Sequence, residues 1–183
     1  MPTKSGAAWV AKFPTSTKIS DLKSPFRENF EAFCFAMKAA KIKVTVTASL
    51  RPKNRAYLMH YSWLIAKGKI KPAEVPARTG IDIVWNHTNG VEAAKDMVEA
   101  YGTGGSSVAP ALNSRHIEGR AIDTSLSWTG DIVIKNKDGS LRPIKGVPRN
   151  AIHPELIAAG ATYGVIHFKP AAADKVHWSD DGH

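Results

Sequence analysis

The sequence predicts an α+β fold of one domain, in which a small antiparallel sheet carries the candidate site and helices pack on one side of that sheet. Three observations lead to this prediction. The chain has 183 residues, which is long enough to bury one hydrophobic core. Its hydrophobic fraction of 43% and charged fraction of 22% are ordinary for a globular protein. Segments with helical and strand periodicity follow one another without strict alternation, which is typical of the α+β class.

The N-terminal segment differs in composition from the rest of the chain. It is rich in Thr, Ser, Lys and Pro, so we expect an N-terminal arm over 1–23 and the domain proper over 24–183. Ser24 and Pro25 mark the start of a helix, with the serine as its cap and the proline in its first turn. The apolar face of this helix is formed by Phe26, Phe30, Phe33 and Met37.

Strand and helix patterns continue through the middle of the chain. Apolar and polar residues alternate over 44–49, the period of a half-buried strand. A second helix is predicted over about 53–67 and a short strand over 81–85. Gly102 closes a third helix, whose apolar face is formed by Val91, Ala94, Val98 and Tyr101.

The C-terminal third has mostly strand character. A strand is predicted over 121–128, and 131–144 is typical of a hairpin that turns near Asp138 and Gly139. A short helix over about 154–159 precedes two further strand-like segments, 163–168 and 175–178. These strands supply the small sheet of the predicted fold.

Composition limits the classes of partner and compartment. No apolar run approaches the length that crosses a bilayer, and the N-terminus lacks the apolar core of a secretory signal. We therefore expect no membrane span and synthesis in the cytoplasm. The single cysteine, Cys34, excludes an internal disulfide framework and is interpreted as a buried helix residue. The net charge of +9 favours polyanionic partners, namely nucleic acid, an anionic membrane surface or bacterial cell wall.

The stretch "SRHIEGRAID" holds two residues with metal-ligand chemistry, His116 and Asp123, seven positions apart. On a continuous strand they would be about 23 Å apart on opposite faces, and on a continuous helix about 10 Å apart. A shared metal therefore requires a turn between them, and Gly119 can supply the backbone angles of that turn. The best third ligand is His177, and Asp174 before it has the chemistry of a general base.

These residues carry a family resemblance. "SRHIEGRAID" resembles the Ser-x-His-x-x-Gly-x-Ala-x-Asp motif of zinc peptidases that cut D-amino-acid bonds in bacterial cell walls, and "DKVHW" resembles that family's second motif. The family includes D-alanyl-D-alanine carboxypeptidases and phage L-alanyl-D-glutamate endolysins. The resemblance covers about 44–178, and the five fixed positions of the first motif are present as Ser114, His116, Gly119, Ala121 and Asp123.

The resemblance implies a role for each site residue. His116, Asp123 and His177 would bind Zn²⁺, and Asp174 would act as the general base. "TASLRPKN" resembles the family segment whose arginine contacts substrate, which implies that Arg51 neutralises an oxyanion or a substrate carboxylate. Ser114 would hydrogen-bond the substrate or cap a turn. By contrast, Glu118 and Arg120 are interpreted as solvated turn residues, Trp178 as packing, and the C-terminal His183 as disordered.

The resemblance implies a zinc-dependent peptidoglycan peptidase that acts as a monomer on the cell wall after release or delivery by another system. The aspartate at the base position favours an L-alanyl-D-glutamate endopeptidase of endolysin type over a D-alanyl-D-alanine carboxypeptidase. Two other classes stay open. A nucleic-acid-binding protein is suggested by the charge alone, without a recognition-helix pattern, so nucleic acid is disfavoured as the partner. A non-catalytic zinc module is disfavoured because it has no need of Asp174.

Overall fold

The computed structural model describes residues 2–183 and divides the chain into two compact units. The first unit runs up to Thr15 and then from Arg51 to Ser114, and the second comprises Ser16–Leu50 and Arg115–His183. This division differs from the predicted arm over 1–23, whose residues are shared between the two units. Trp9 accounts for part of the difference, because its indole is only 4% exposed and packs in the core of the first unit.

Helices and strands are mixed along the chain, as the α+β prediction requires. The α-helices are α1 (Phe26–Ala39), α2 (Lys53–Ala66), α3 (Gly90–Tyr101), α4 (Arg115–Glu118) and α5 (Pro154–Thr162). The strands are β1 (Thr3–Lys4), β2 (Lys43–Ala48), β3 (Ile83–Val84), β4 (Ala121–Ser127), β5 (Ile132–Lys135), β6 (Leu141–Ile144), β7 (Ile166–His167) and β8 (His177–Ser179). No helix in the part of the chain described combines the length and hydropathy needed to cross a bilayer.

In the first unit, α2 packs against α3, and β1 pairs in parallel with β3. The predicted apolar face of α3 is partly wrong, because Val91 is 42% exposed whereas Ala93 and Met97 are buried. The helix begins at Gly90, where a Cβ would lie 2.2 Å from the backbone oxygen of Trp85, so only glycine fits at this close approach.

The second unit contains a four-stranded antiparallel sheet in the order β2-β4-β8-β7 and the two-stranded hairpin β5-β6. Helices α1 and α5 share one core with the sheet, so the predicted packing on one side is confirmed. The predicted apolar face of α1 is buried throughout, as is Cys34. Ser24 is not the cap of this helix: Pro25 holds that position, and the Ser24 hydroxyl donates to Glu28 Oε1 at 2.6 Å.

Strand alternation gives the sheet two chemically different faces. Ile122 on β4 lies opposite Trp178 on β8, and both are fully buried in the core. The next pair along the same two strands is Asp123 and His177. Because successive side chains of a strand point to opposite faces, this pair lies on the face away from α1 and α5.

The core of the second unit predicts a contrast between two phenylalanines on α1. Phe33 is fully buried, with its ring centroid 5.5 Å from that of Trp178, whereas Phe35 is 77% exposed. Phe33→Ala should lower the free energy of unfolding by about 3–5 kcal/mol, because it leaves a cavity. Phe35→Ala should change it by less than about 0.5 kcal/mol. Urea denaturation of both variants measures the difference, and equal midpoints would contradict this packing.

Candidate metal centre

Three elements of the second unit carry the predicted ligands. His116 lies on α4, Asp123 on β4 and His177 on β8. The chain reverses between the first two at Gly119, whose φ of 72° is in the left-handed region that favours glycine. The backbone N–H of Arg120 donates to the carbonyl of Arg115 at 2.8 Å and closes this turn. The predicted turn at Gly119 is therefore confirmed, and the turn leads directly into β4.

Strand register brings the other two ligands together. Asp123 and His177 are directly opposed on the antiparallel strands β4 and β8. Opposed residues of this kind have Cβ atoms about 4.5–5.5 Å apart on one face. Neither residue could be placed beside the other from sequence spacing, because 53 residues separate them along the chain.

The three ligand atoms form a nearly equilateral triangle. His116 Nε2 lies 3.1 Å from Asp123 Oδ1 and 3.2 Å from His177 Nδ1, and the third side, from His177 Nδ1 to Asp123 Oδ1, is 3.1 Å. Ligands bound to zinc at about 2.0–2.1 Å with tetrahedral angles are about 3.3 Å apart. The observed triangle therefore has the dimensions of three ligands around one small cation, and these three residues could hold a metal ion.

The outer ring nitrogens fix the tautomers of both histidines. Nδ1 of His116 lies 2.7 Å from the backbone oxygen of Ser49, and Nε2 of His177 lies 3.2 Å from the backbone oxygen of His183. A carbonyl oxygen only accepts hydrogen bonds, so each outer nitrogen carries the proton and donates. In the neutral imidazoles, the inner nitrogens then direct lone pairs at each other and at Asp123. Metal-bound histidines typically show this pattern of an outer N–H held by a carbonyl.

The charges of the group follow from its burial. His116 and His177 are buried, and the side chain of Asp123 is 20% exposed. Burial by itself raises the pKa of Asp123, but hydrogen bonds that His116 and His177 donate when their inner nitrogens are protonated outweigh it and hold this pKa well below its usual range. Burial acts to lower the pKa of His177, yet the hydrogen bond to Asp123 and the charge of that carboxylate give a net rise. Without a metal, the Asp123 carboxylate therefore favours protonation of His177.

An ion-pair network joins the segments that carry the two histidines. Arg115, beside His116, donates from Nε to Asp181 Oδ2 at 2.9 Å and pairs with Glu118 at 2.8 Å. Arg120 pairs with Asp180 at 3.0 Å and also contacts Glu118. The interpretation of Glu118 and Arg120 as solvated turn residues agrees with their side-chain exposures of 44% and 37%, and both residues also take part in this network. Exposed pairs of this kind add little stability, but here they hold α4 against the end of β8.

The C-terminal residue also belongs to the centre, although we expected it to be disordered. The His183 backbone oxygen accepts the hydrogen bond from His177, and its N–H donates to Ser179 Oγ at 3.1 Å. Both this oxygen and that of Ser49 are backbone atoms, so no side-chain pattern in the sequence could have identified them. Trp178 is confirmed as a packing residue, with its indole N–H donated to Thr124 Oγ1 at 3.1 Å in the core.

Asp174 lies on the irregular segment just before β8, as its spacing from His177 required. Its Oδ1 accepts a hydrogen bond from the Val176 N–H at 3.3 Å, and its charge contributes to the raised pKa of His177. It is not one of the three ligand residues. The ring of His167 on β7 contacts the backbone oxygen of Lys175 at 3.3 Å, so this imidazole helps to hold the segment that carries Asp174.

Two of the predicted substrate contacts belong to the first unit. Arg51 lies between β2 and α2 with a partly buried side chain, and Ser114 directly precedes α4. The Ser114 hydroxyl is buried and has no hydrogen-bond partner among residues 2–183. The roles of Arg51 and Ser114 in binding substrate stay predictions.

Comparison with known proteins adds no relative to this picture. No protein-family model and no curated protein sequence matches the chain. The geometry of the three ligands and the chemistry of the residues around them are therefore the basis for assigning a function.

Loss of the ion should follow loss of any one of its ligands. Wild-type protein supplied with zinc should hold about one ion per chain, and His116→Ala or Asp123→Ala should hold none, because two protein ligands bind a divalent ion too weakly. Added metal should raise the melting temperature of the wild type but not of either variant. His60→Ala is a matched control, since that imidazole bonds the backbone oxygen of Pro110 in the first unit. Elemental analysis that finds no ion in the wild type would refute the site.

Metal affinity should fall as the pH is lowered. The pKa of His177 is raised in the metal-free protein, so below that pKa a proton occupies the nitrogen that the ion needs. Above it the nitrogen is free, and affinity should level off. Each displaced proton weakens binding about tenfold per pH unit below the pKa. Competition with a chromophoric chelator between pH 5.5 and pH 8 measures this slope, and a flat profile would contradict the competition between proton and ion at His177.

Proposed function

We propose that this chain is a zinc-dependent peptidoglycan peptidase, an L-alanyl-D-glutamate endopeptidase of endolysin type. One observation carries the proposal: two imidazole lone pairs and one carboxylate oxygen lie within 3.2 Å of one another on a buried face of the sheet. Nitrogen and oxygen ligands of this kind suit zinc. The motifs that hold these residues resemble those of zinc peptidases that act on bacterial cell walls.

The number of ligands supports a catalytic centre rather than a structural one. Structural zinc sites are closed by four protein ligands, whereas catalytic sites have three and leave a position for water. The group formed within residues 2–183 has three members. The partial exposure of Asp123 also leaves the group in contact with solvent, which a hydrolytic site needs.

Each residue of the site would have a separate role in hydrolysis. His116, Asp123 and His177 would hold the zinc ion, which when bound lowers the pKa of water to near 7 and polarises a carbonyl. The hydrogen bonds to Ser49 and His183 keep both imidazoles oriented for binding. Asp174 would accept a proton from the attacking water and return it to the leaving amine.

The charge of the chain agrees with a wall polymer as substrate. The net charge of +9 favours retention on an anionic polymer, an effect that is independent of the metal centre. Duplex nucleic acid is the alternative polyanion. It would make no use of Asp174, a carboxylate whose charge acts on the ligand His177.

Digestion of purified peptidoglycan tests the proposal. The zinc-loaded protein should release fragments with new C-terminal L-alanine and new N-terminal D-glutamate, identified by mass spectrometry. Release of free D-alanine would instead assign the carboxypeptidase reaction. Asp174→Asn should lower the rate about 100-fold or more with zinc still bound, since the amide cannot accept the proton. Asp96→Asn, at an exposed position on α3, is the matched control. The absence of any new terminus would refute the peptidase, and full activity of Asp174→Asn would exclude that base.

A further inference from the structure

A second cavity lies wholly within the first unit, apart from the metal ligands. Its volume is about 430 Å³. The residues that give the cavity its chemistry are Lys53, Tyr57, Tyr61, Arg78, Leu112 and Asn113. None of these residues has a role in the hydrolytic chemistry described above.

Arg78 is held in place by groups that do not neutralise it. Its Nε donates to Asn54 Oδ1 at 2.9 Å, and its guanidinium carbon lies 5.6 Å from the centroid of the Tyr57 ring. The side chain forms no ion pair with any acidic residue among residues 2–183. An arginine fixed through Nε in this way presents its two terminal nitrogens as a fork, the geometry that binds a carboxylate or phosphate with two hydrogen bonds.

The charge of the cavity is of one sign. Lys53 and Arg78 line it, and no acidic side chain does. Another depression of the first unit, of about 490 Å³, is lined by Lys69, Lys71 and Lys95 but has mixed charge, because Glu74 also lines it. The cavity with Arg78 is therefore the better receptor for an anion, since two cations are arranged there without a competing carboxylate.

The aromatic residues add an apolar surface of fixed orientation. The Tyr57 hydroxyl donates to the Pro76 carbonyl at 2.8 Å and accepts from the indole of Trp85 at 3.3 Å, so this ring is anchored at the base of the cavity. The ring of Tyr61 packs against it with centroids 4.8 Å apart. Leu112 is 37% exposed beside them. Such a surface suits the apolar face of a sugar ring or of a short peptide, next to its anionic group.

We propose that this cavity binds a carboxylate of the wall polymer, with Arg78 and Lys53 on the carboxylate and Tyr61 against the adjoining sugar or peptide. The identity of the polymer rests on the proposed function, whereas the anion chemistry rests on the cavity alone. The carboxylate could belong to a muramic-acid sugar or to the stem peptide. The cavity would then hold the chain on its substrate through a contact separate from the metal centre.

Binding is measured by calorimetry on zinc-loaded Asp174→Asn protein, which should not degrade the probes. One probe is the wall disaccharide with a free lactyl carboxylate, the other is a free stem tetrapeptide, and each is also prepared with its carboxylates amidated. At least one free-acid probe should bind, and its amidated form should bind about tenfold more weakly or worse. The probe that binds identifies the source of the carboxylate. Failure of both free acids to bind would refute the proposal.

Variants then assign the binding to the cavity. Arg78→Gln should weaken binding of the free acid about tenfold or more, because a charged, forked hydrogen-bond donor is lost. Lys53 is exposed, so Lys53→Gln should leave the fold intact and still weaken binding severalfold. Lys69→Gln removes the same charge from the same unit outside the cavity and is the matched control. Equal affinities of Arg78→Gln, Lys53→Gln and Lys69→Gln would overturn the proposal.

The test of the cavity proposal can be distinguished from the test of the peptidase proposal. If the wild type cleaves peptidoglycan but the variants bind the probes normally, the cavity proposal is wrong and the peptidase proposal stands. If Arg78→Gln loses probe binding but the wild type yields no new termini, the cavity proposal stands and the peptidase proposal is wrong. Duplex DNA that binds more tightly than either probe, and depends on Arg78, would overturn the wall carboxylate in favour of a nucleic-acid phosphate.

Discussion

Three electron-pair donors, two neutral imidazoles and one ionised carboxylate, converge in the second unit with no hydrogen atom between them. The outer N–H groups of His116 and His177 are committed to backbone oxygens, so the inner nitrogens face Asp123 as lone pairs at 3.1 Å. Such an arrangement is repulsive unless a cation lies at its centre, and a proton or a metal ion are the two candidates. The burial of both histidines strengthens this requirement, because little water can reach their inner nitrogens in place of the cation. The local architecture of the unit depends on meeting that constraint.

The sheet meets this constraint through its register. Asp123 opposes His177, and the neighbouring pair, Ile122 and Trp178, faces the core beneath α1. A slip of one residue between β4 and β8 would turn the ligands into the core and the indole into solvent. The packing of Trp178 against Phe33 therefore also fixes the position of the ligands. Core stability and metal chemistry are coupled here because they use alternate residues of the same two strands.

Much of the fold and of the site could be predicted from local sequence. The helical face that contains Phe33, the alternating strand at 44–48 and the turn at Gly119 are encoded by residues close together in the chain. Periodicity and backbone freedom are local properties, so they can be recognised without knowledge of the fold. The three ligands could also be predicted from the sequence, since His116 and Asp123 need a turn between them and few other residues have suitable ligand chemistry. Periodicity alone was insufficient for α3, since Val91 on its predicted apolar face is 42% exposed.

The sequence by itself determined the α+β class, the order of most elements and the three candidate ligands. Only the tertiary structure decided the register that opposes Asp123 to His177, the backbone oxygens of Ser49 and His183 that fix the tautomers, and the division of the chain into two units. It also placed Arg78 over Tyr57 with no acidic partner among residues 2–183. These features arise between residues far apart in the chain or from backbone atoms common to every residue. Features of these two kinds leave no periodic or compositional signal in the sequence, so only the folded structure reveals them.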